Sequence, residues 1–190
     1  MRIIAGSLGG QHLKAPKGYR VRPTADQVRE AMFNILVSRF FVENIDVLDL
    51  FAGTGALGIE ALSRGASSAV FVDPNTEAQR TIQANLSTTH LRGRGRLIRA
   101  YAAKGIKIVE DQGLQFGGVF LDPPYREGWV DKILRLLASS AILAPQAWVV
   151  VEHEQHEEGA DEYTSLVLTD RRRYGKTGVS FYQYQDEEAA

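Results

Sequence analysis

"LDLFAGTGALG", residues 48–58, is the stretch on which the fold turns. Its apolar start reads as the end of a β-strand, "IDVLDL" (45–50), and its glycines as a turn into the helical "GALGIEALSRG" (55–65), closed by Gly65. Gly53, Gly55 and Gly58 meet the spacing G-x-G-x-x-G, and Asp73 stands eighteen residues beyond Gly55, at the end of the next apolar run. This is the pattern of a nucleotide-binding turn: glycines let the backbone bend and approach a ligand, and the later acid accepts hydrogen bonds from ribose hydroxyls. Asp49 argues against a dinucleotide. It lies four residues before Gly53, where its charge would repel a pyrophosphate. A ligand with an ammonium group and a ribose but no phosphate suits the loop better, and S-adenosylmethionine is such a ligand.

Working outward, apolar runs alternate with helical stretches. "SAVFVD" (68–73), the weaker "RGRLIRA" (94–100), "GGVFLD" (117–122) and "AWVVVE" (147–152) read as strands. "NTEAQRTIQANLSTTH" (75–90), a short segment at 102–110 and "WVDKILRLLASSAIL" (129–143) read as helices. The last two strands, "YTSLVLTD" (163–170) and "GVSFYQYQ" (178–185), have no long helix between them. The order predicts an α/β fold: a parallel sheet covered on both faces, with a final hairpin placing one antiparallel strand at the edge. Right-handed crossovers put the strand-end loops on one rim, where ligands bind.

Ahead of this unit, residues 2–5 and 11–14 flank "GSLGG" as a hairpin arm. "RPTADQVREAMFNIL" (22–36) then reads as a helix, with Thr24 and Gln27 at capping-box spacing and Val28, Ala31, Met32, Ile35 and Leu36 at helical period. The expected organisation is an extension over 1–41, one catalytic domain over 42–185 and a disordered tail at 186–190.

"FLDPPY" (120–125) ends a strand on a carboxylate and two prolines. Pro123 has a fixed φ, and Pro124 forces it into an extended ψ, so the Pro123 carbonyl points in one direction. With Asp122 beside it, two acceptors at fixed spacing grip both hydrogens of a planar –NH₂ group, and Tyr125 offers a face for stacking. The lone pair of such an amine is delocalised into its ring. Drawing its hydrogens toward Asp122 and Pro123 favours a nucleophilic nitrogen, and the carboxylate stabilises the positive charge that develops on it. A plain strand-to-turn transition is the bland alternative.

Composition sets the outer bounds. The chain has 190 residues, a net charge of −1 and no cysteine, which excludes disulfides, thiolate metal sites and cysteine nucleophiles. No apolar run reaches membrane-span length and "MRIIAGSLGG" has no signal pattern, so a cytoplasmic protein is expected. Basic residues cluster in 1–39, in 92–107 and at Arg171, Arg172, Arg173 and Lys176, while acids concentrate in "EHEQHEEGADE" (152–162). Converging, the basic segments make a phosphate-binding face; apart, they are three solvated surfaces. His153 and His156 are read as solvated rather than metal-binding, and no metal is expected. His12 and His90 are read as surface residues, and Trp129 and Trp148 as core. Tyr174 either stacks on a base or packs the sheet edge.

The chain resembles the RsmD-type methyltransferases, which use S-adenosylmethionine to methylate the N2 amine of a guanine in 16S ribosomal RNA. The resemblance is carried by "MRIIAGSLGG", "RPTADQVREAMFNIL", "LDLFAGTGALGIEALSRGA", "FVD", "FLDPPY" and "RRYGKTGVSFY", in order along nearly the whole chain. It implies the Rossmann-like class I methyltransferase fold with seven strands, and a monomer acting on 16S ribosomal RNA or a partly assembled small subunit. It also implies that Asp49 and Phe51, Ala52, Gly53, Thr54 and Gly55 hold the methionine end of the cofactor, and Asp73 the ribose. Asp122, Pro123, Pro124 and Tyr125 would hold the flipped guanine. Arg2, Arg22, Thr24 and Arg29 would lie toward the RNA or close the cofactor pocket. Asp73 stands where the family more often has Glu, and "RAYAAK" where it commonly has an adenine-binding Asn or Asp, with Tyr101 as the replacement contact. "GGQHL" lacks the arm's usual basic residues. Other readings are N6-adenine methylation of DNA, which uses the same amine grip, and an NAD-dependent oxidoreductase or non-catalytic nucleotide-binding module.

Overall fold

A computed structural model describes residues 1–15, 23–125 and 127–185, with the backbone alone for 23–25. In chain order the elements are α1 (Pro23–Arg39), β1 (Asp46–Leu50), α2 (Ala56–Ser63), β2 (Ser68–Val72), α3 (Thr76–Thr88), β3 (Gly95–Ile98), α4 (Ala102–Asp111), β4 (Phe116–Leu121), α5 (Trp129–Ala138), β5 (Leu143–Glu154), β6 (Leu166–Tyr174) and β7 (Thr177–Tyr184). They form one seven-stranded sheet of order β3-β2-β1-β4-β5-β7-β6. β1 to β5 pair in parallel, and β7 runs antiparallel to both β5 and β6. The antiparallel strand is therefore present, one place in from the edge: β7 inserts between β5 and β6, and β6 takes the outer position.

Alternation along the strands splits the core in two. On one face Leu48, Leu121, Val149 and Val151 pack against Ile106 and Val109 of α4 and Val130, Ile133, Leu134 and Leu137 of α5. On the other, Val47, Phe71, Phe120 and Val150 pack against Val28, Met32, Phe33 and Leu36 of α1, with Ile59 and Leu62 of α2 and Ile82 and Leu86 of α3. α1 starts at Pro23, a residue suited to a first turn because its missing N–H has no intrahelical partner there. Thr24 consequently lies inside the helix and not at its N-cap. α5 stops at Ala138, short of the expected 143, because the hydroxyls of Ser139 and Ser140 donate to carbonyls of the last turn and Leu143 already belongs to β5.

The N-terminal hairpin is docked, not free. Arg2 bridges His12 in antiparallel sense, and Ile3 and Leu13 are core residues. The buried Glu60 carboxylate accepts the Ile4 and Ala5 N–H groups and pairs with Arg64 at 2.8 Å. Asn85, fully buried on α3, binds Lys14 at both backbone groups and donates to the Thr54 carbonyl at 3.0 Å. One amide thus joins the hairpin to the glycine turn.

Candidate active site

Three adjacent strand ends carry acids on one face of the sheet. Val47, Phe120 and Val150 all point toward α1–α3. Two residues further on, at the same phase of the alternation, come Asp49, Asp122 and Glu152. The registers Leu50↔Leu121 and Leu121↔Val151 bring these ends together, with neighbouring strands about 4.8 Å apart. The row crosses the sheet where strand order reverses, between β1 and β4.

Asp49 is 1% exposed, and its Oδ2 accepts the Gly58 N–H at 3.0 Å. Gly58 has no alternative here: a Cβ would sit 2.4 Å from the Phe71 ring and 3.2 Å from Asp49 Oδ2. Gly55 adopts φ 76°, the left-handed conformation that starts α2 and favours glycine. Burial pushes the Asp49 carboxyl up to about 8; the Gly58 hydrogen bond opposes this, and the charge of Asp73 adds to it. A buried acid beside a turn of open backbone is a receptor for a cationic group. Asp73 braces the same turn, accepting Gly53 N–H at 2.9 Å and Asn75 N–H at 2.8 Å. Phe51 is half-buried at φ 60°, 6.0 Å from the Trp129 ring, while Ala52 and Thr54 are buried.

Asp122 opens onto solvent directly beyond β4, followed by buried Pro123 and exposed Pro124. The protein packed around it raises its carboxyl well above the usual range, and the charges of Glu152 and then Asp49 push the same way; contact with water tempers the first effect. Tyr125, 40% exposed, donates its hydroxyl to Glu152 Oε1 at 3.4 Å, and burial lifts its phenol to about 12. Glu152 is half-buried and also raised, by burial first; the Tyr125 hydroxyl and the Arg29 charge pull it back. Two carboxyls and an aromatic face therefore stand together on the rim, beside the turn that Asp49 serves.

Glu152 was not among the expected site residues, because it was read as the start of an acidic, solvated run. The available signal was its place: like Asp73 and Asp122, it closes an apolar strand. Asn85 carried no local signal, since a polar residue within a helix says nothing about a distant turn. Tyr101 lies on the rim at the N-cap of α4 with its side chain 70% exposed.

Other expected residues fall differently. Arg29 is 5% exposed and spans Asp26, the Arg2 carbonyl and Glu60, so it ties the hairpin to α1 and α2 and does not face a ligand in solvent. Arg2 is exposed at the hairpin. Arg22 and the Thr24 side chain lie outside the described residues. Tyr174 is half-buried against the α1–α3 core at the β6–β7 turn, whose Lys176 carbonyl accepts the Gln155 N–H. Trp148 is core, whereas Trp129 is half-buried on the rim. His153 is not solvated: it is buried, its Nδ1 donating to the Glu154 carbonyl and its Nε2 accepting from the Ser180 hydroxyl. Among the described residues no group of acids and histidines is placed to hold a metal ion, and no helix is long and apolar enough to cross a membrane.

The three basic clusters meet only in part: Lys14 of the first and Arg92 of the second line one groove, and many of the other cations are paired. Arg171 and Arg173 pair with Glu158, Arg171 also with Asp161, and Arg172 and Arg39 with Asp170. Arg94 donates to the carbonyls of Leu62, Ala66 and Ser67 near the end of α2. Lys107 pairs with Glu110 and Asp111.

Comparison with known proteins places this arrangement. The family model described as "Conserved hypothetical protein 95" matches residues 1–183. The chain is 39% identical over 183 residues to the Bacillus subtilis (strain 168) protein YlbH, provisionally named an rRNA methyltransferase; the match covers 96% of this chain and 98% of that one. It is 36% identical over 154 residues to the Ribosomal RNA small subunit methyltransferase D of Escherichia coli (strain K12), covering 81% and 75%. The solved structure of the Escherichia coli protein yhhF, provisionally named a methyltransferase, matches at a TM-score of 0.84 and 32% identity, over 98% and 99% of the two chains. The fold itself recurs in S-adenosylmethionine-dependent methyltransferases at 16–18% identity. The chain belongs to the Conserved hypothetical protein 95 family, that of the RsmD-type methyltransferases.

Proposed function

We propose that the protein transfers the methyl group of S-adenosylmethionine to the N2 amine of a guanine in small-subunit ribosomal RNA. The observation that carries this reading is the acid row Asp49, Asp122 and Glu152 across three neighbouring strand ends. The cofactor, when bound, supplies an electrophilic methyl on a sulfonium. Asp49 and the turn Phe51–Gly55 fit its charged end, because a buried carboxyl with a raised pKa gains most from a cation; Asp73 is the acceptor for ribose, and Tyr101 is within the rim for the adenine. Asp122 and the Pro123 carbonyl take the two amine hydrogens and orient the nitrogen lone pair. Burial and the neighbouring acids raise the Asp122 carboxyl, which makes it a stronger base for the proton that the methylated amine releases. Tyr125 stacks on the base, which must leave its helix to enter the cleft.

Glu152 favours guanine over adenine. Guanine presents N1–H beside its N2 amine, an unbroken row of donors that Glu152 and Asp122 accept together. Adenine presents the N1 lone pair beside its N6 amine, and so has no hydrogen there to give a Glu152 acceptor oxygen. The names of the relatives support the ribosomal substrate.

The decisive experiment is nucleoside analysis after incubation with labelled cofactor and small-subunit particles from a strain lacking the enzyme. N2-methylguanosine is the expected product; N6-methyladenosine, or label in DNA alone, ends this reading. Glu152→Gln, whose amide both donates and accepts, is expected to lose about 10- to 100-fold in kcat/KM for guanine and to relax the preference over adenine. An unchanged preference would remove Glu152 from base recognition.

A further inference from the structure

One groove carries positive charge that no acid among the described residues neutralises. It encloses about 370 Å³ between the N-terminal hairpin and the outer face of α3, lined by Lys14, Arg80, Gln83, Ser87, Thr88 and Arg92. No acid lines it. Elsewhere the cations at positions 29, 39, 64, 107, 135 and 171–173 are paired with carboxylates. Lys14, Arg80 and Arg92 are exposed and make no ion pair among the described residues. In a chain of net charge −1, this groove gathers three such cations around one cavity, whereas others without an ion pair among the described residues, such as Arg2, Arg96 and Lys104, do not line it.

Its geometry fits a chain of phosphates better than a single one. Residues 80, 83, 84, 87 and 88 recur at helical spacing along one stripe of α3, opposite the buried Ala78, Ile82 and Leu86. From Arg80 to Thr88 the helix rises roughly 12 Å. Cations stand at both ends and on the hairpin wall, with amide and hydroxyl donors between them. The groove is also mechanically tied to the cleft. Asn85, on the neighbouring stripe of α3, binds both backbone groups of Lys14 and the Thr54 carbonyl of the glycine turn. A strand held there keeps a fixed distance from the rim.

We propose that this groove binds the sugar–phosphate backbone of the RNA substrate, flanking the modified base and without reading its sequence. The inference rests on the ribosomal RNA reading above. Its test is the full-length triple variant Lys14→Gln, Arg80→Gln, Arg92→Gln, assayed with naked 16S ribosomal RNA and with small-subunit particles. Cofactor affinity, thermal melting and kcat are expected to hold, because the three side chains are exposed and lie outside the cleft. RNA affinity is expected to fall about 10- to 100-fold at ~0.1 M salt. The dependence of log affinity on log salt should become shallower by about two to three, since each lost phosphate contact removes ~0.7–0.9. The control Arg172→Gln, Arg173→Gln removes cations already paired with acids and should leave that slope unchanged.

Unchanged RNA affinity and slope in the triple variant, with a wild type that methylates the RNA, overturn this inference alone. A defect confined to particles, with naked-RNA binding intact, also overturns it and assigns the groove to a protein neighbour. A wild type that neither binds nor methylates RNA overturns the functional reading and this one with it.

Discussion

Replacing Asp122 by alanine is expected to lower methyl transfer about 10³-fold or more at saturating substrates, while the dissociation constant for S-adenosylmethionine stays within about threefold. The size follows from two roles on one side chain. A preorganised acceptor aimed at developing charge is worth ~10²–10³ and a positioned base ~10²–10⁴, and the two do not simply multiply, because one group performs both. Affinity for the cofactor holds because its charged end is assigned to Asp49, on the neighbouring strand end, and not to Asp122. Asp122→Asn separates the roles: the amide oxygen still accepts a hydrogen from the amine, but it cannot take the proton, so a loss nearer 10² is expected. The checks are single-turnover rates and calorimetric titration of the cofactor. Parallel loss of cofactor affinity and rate would place Asp122 in the cofactor pocket and undo its assignment to the base.

Asp49→Asn is expected to weaken S-adenosylmethionine about 10²-fold near pH 8 and leave the fold intact. Asparagine has the same shape and still offers an oxygen to the Gly58 N–H, so the turn is preserved. What disappears is a buried negative charge opposite a cation, and breaking such a pair costs about 3 kcal/mol or more. The pH dependence gives the sharper signature. In the free protein burial holds Asp49 at about 8, and a bound cation favours its ionised form and lowers that value. Below pH 8 binding must therefore expel a proton, so affinity rises up to tenfold per unit as pH approaches 8 and levels off above it. The ammonium of the ligand itself deprotonates near the ordinary α-amino value of ~8, which weakens binding above that pH. The wild type should show a maximum near pH 8, and Asp49→Asn only the descending limb. At pH 7, calorimetry in buffers of different ionisation enthalpy should detect a net release of about 0.8 proton by the wild type and an uptake of about 0.1 by the variant, since the ligand must bind as the ammonium. A wild-type profile flat from pH 6 to 8 would remove Asp49 from the ligand.

Stability carries the opposite sign. The folded-state value of Asp49 lies above the unfolded one near 3.8, so the folded protein holds more protons between these limits, and the ligand-free protein loses stability as pH rises from 4 to 8. Asp49→Asn should flatten that slope. A site that resists its own acid when empty and welcomes it when filled is the physical reason a single residue couples cofactor binding to pH.

Much of the molecule was legible before any coordinates. Gly53, Gly55 and Gly58 report a turn and Asp49 an anion beside it, and the structure accounts for the glycines: Gly53 and Gly55 have positive φ, and Gly58 faces Phe71 and the buried Asp49 without room for a side chain. "DPPY" reported an acceptor at the end of β4, and Asp122 stands there, open to the cleft. The charge pattern was the least informative, because electrostatics depends on neighbours across the fold: "RRR" fits a phosphate-binding face and a solvated surface equally, and only the structure shows Glu158, Asp161 and Asp170 facing it. His153 was misread for the same reason, its partner Ser180 lying on another strand.

By itself the sequence determined the succession of strands and helices, the glycine turn, the carboxylate just beyond β4 and the family. All of these are written in spacing along the chain, where dihedral preference and side-chain period act over a few residues. Only the tertiary structure decided that β7 inserts before the edge, that Glu152 joins Asp122, that Arg29 is buried and that Lys14, Arg80 and Arg92 are left uncompensated. Those outcomes depend on strand order and register, such as Leu50 beside Leu121 and Leu121 beside Val151. Contacts between segments so far apart are selected by burial of the whole core, and no local signal encodes them.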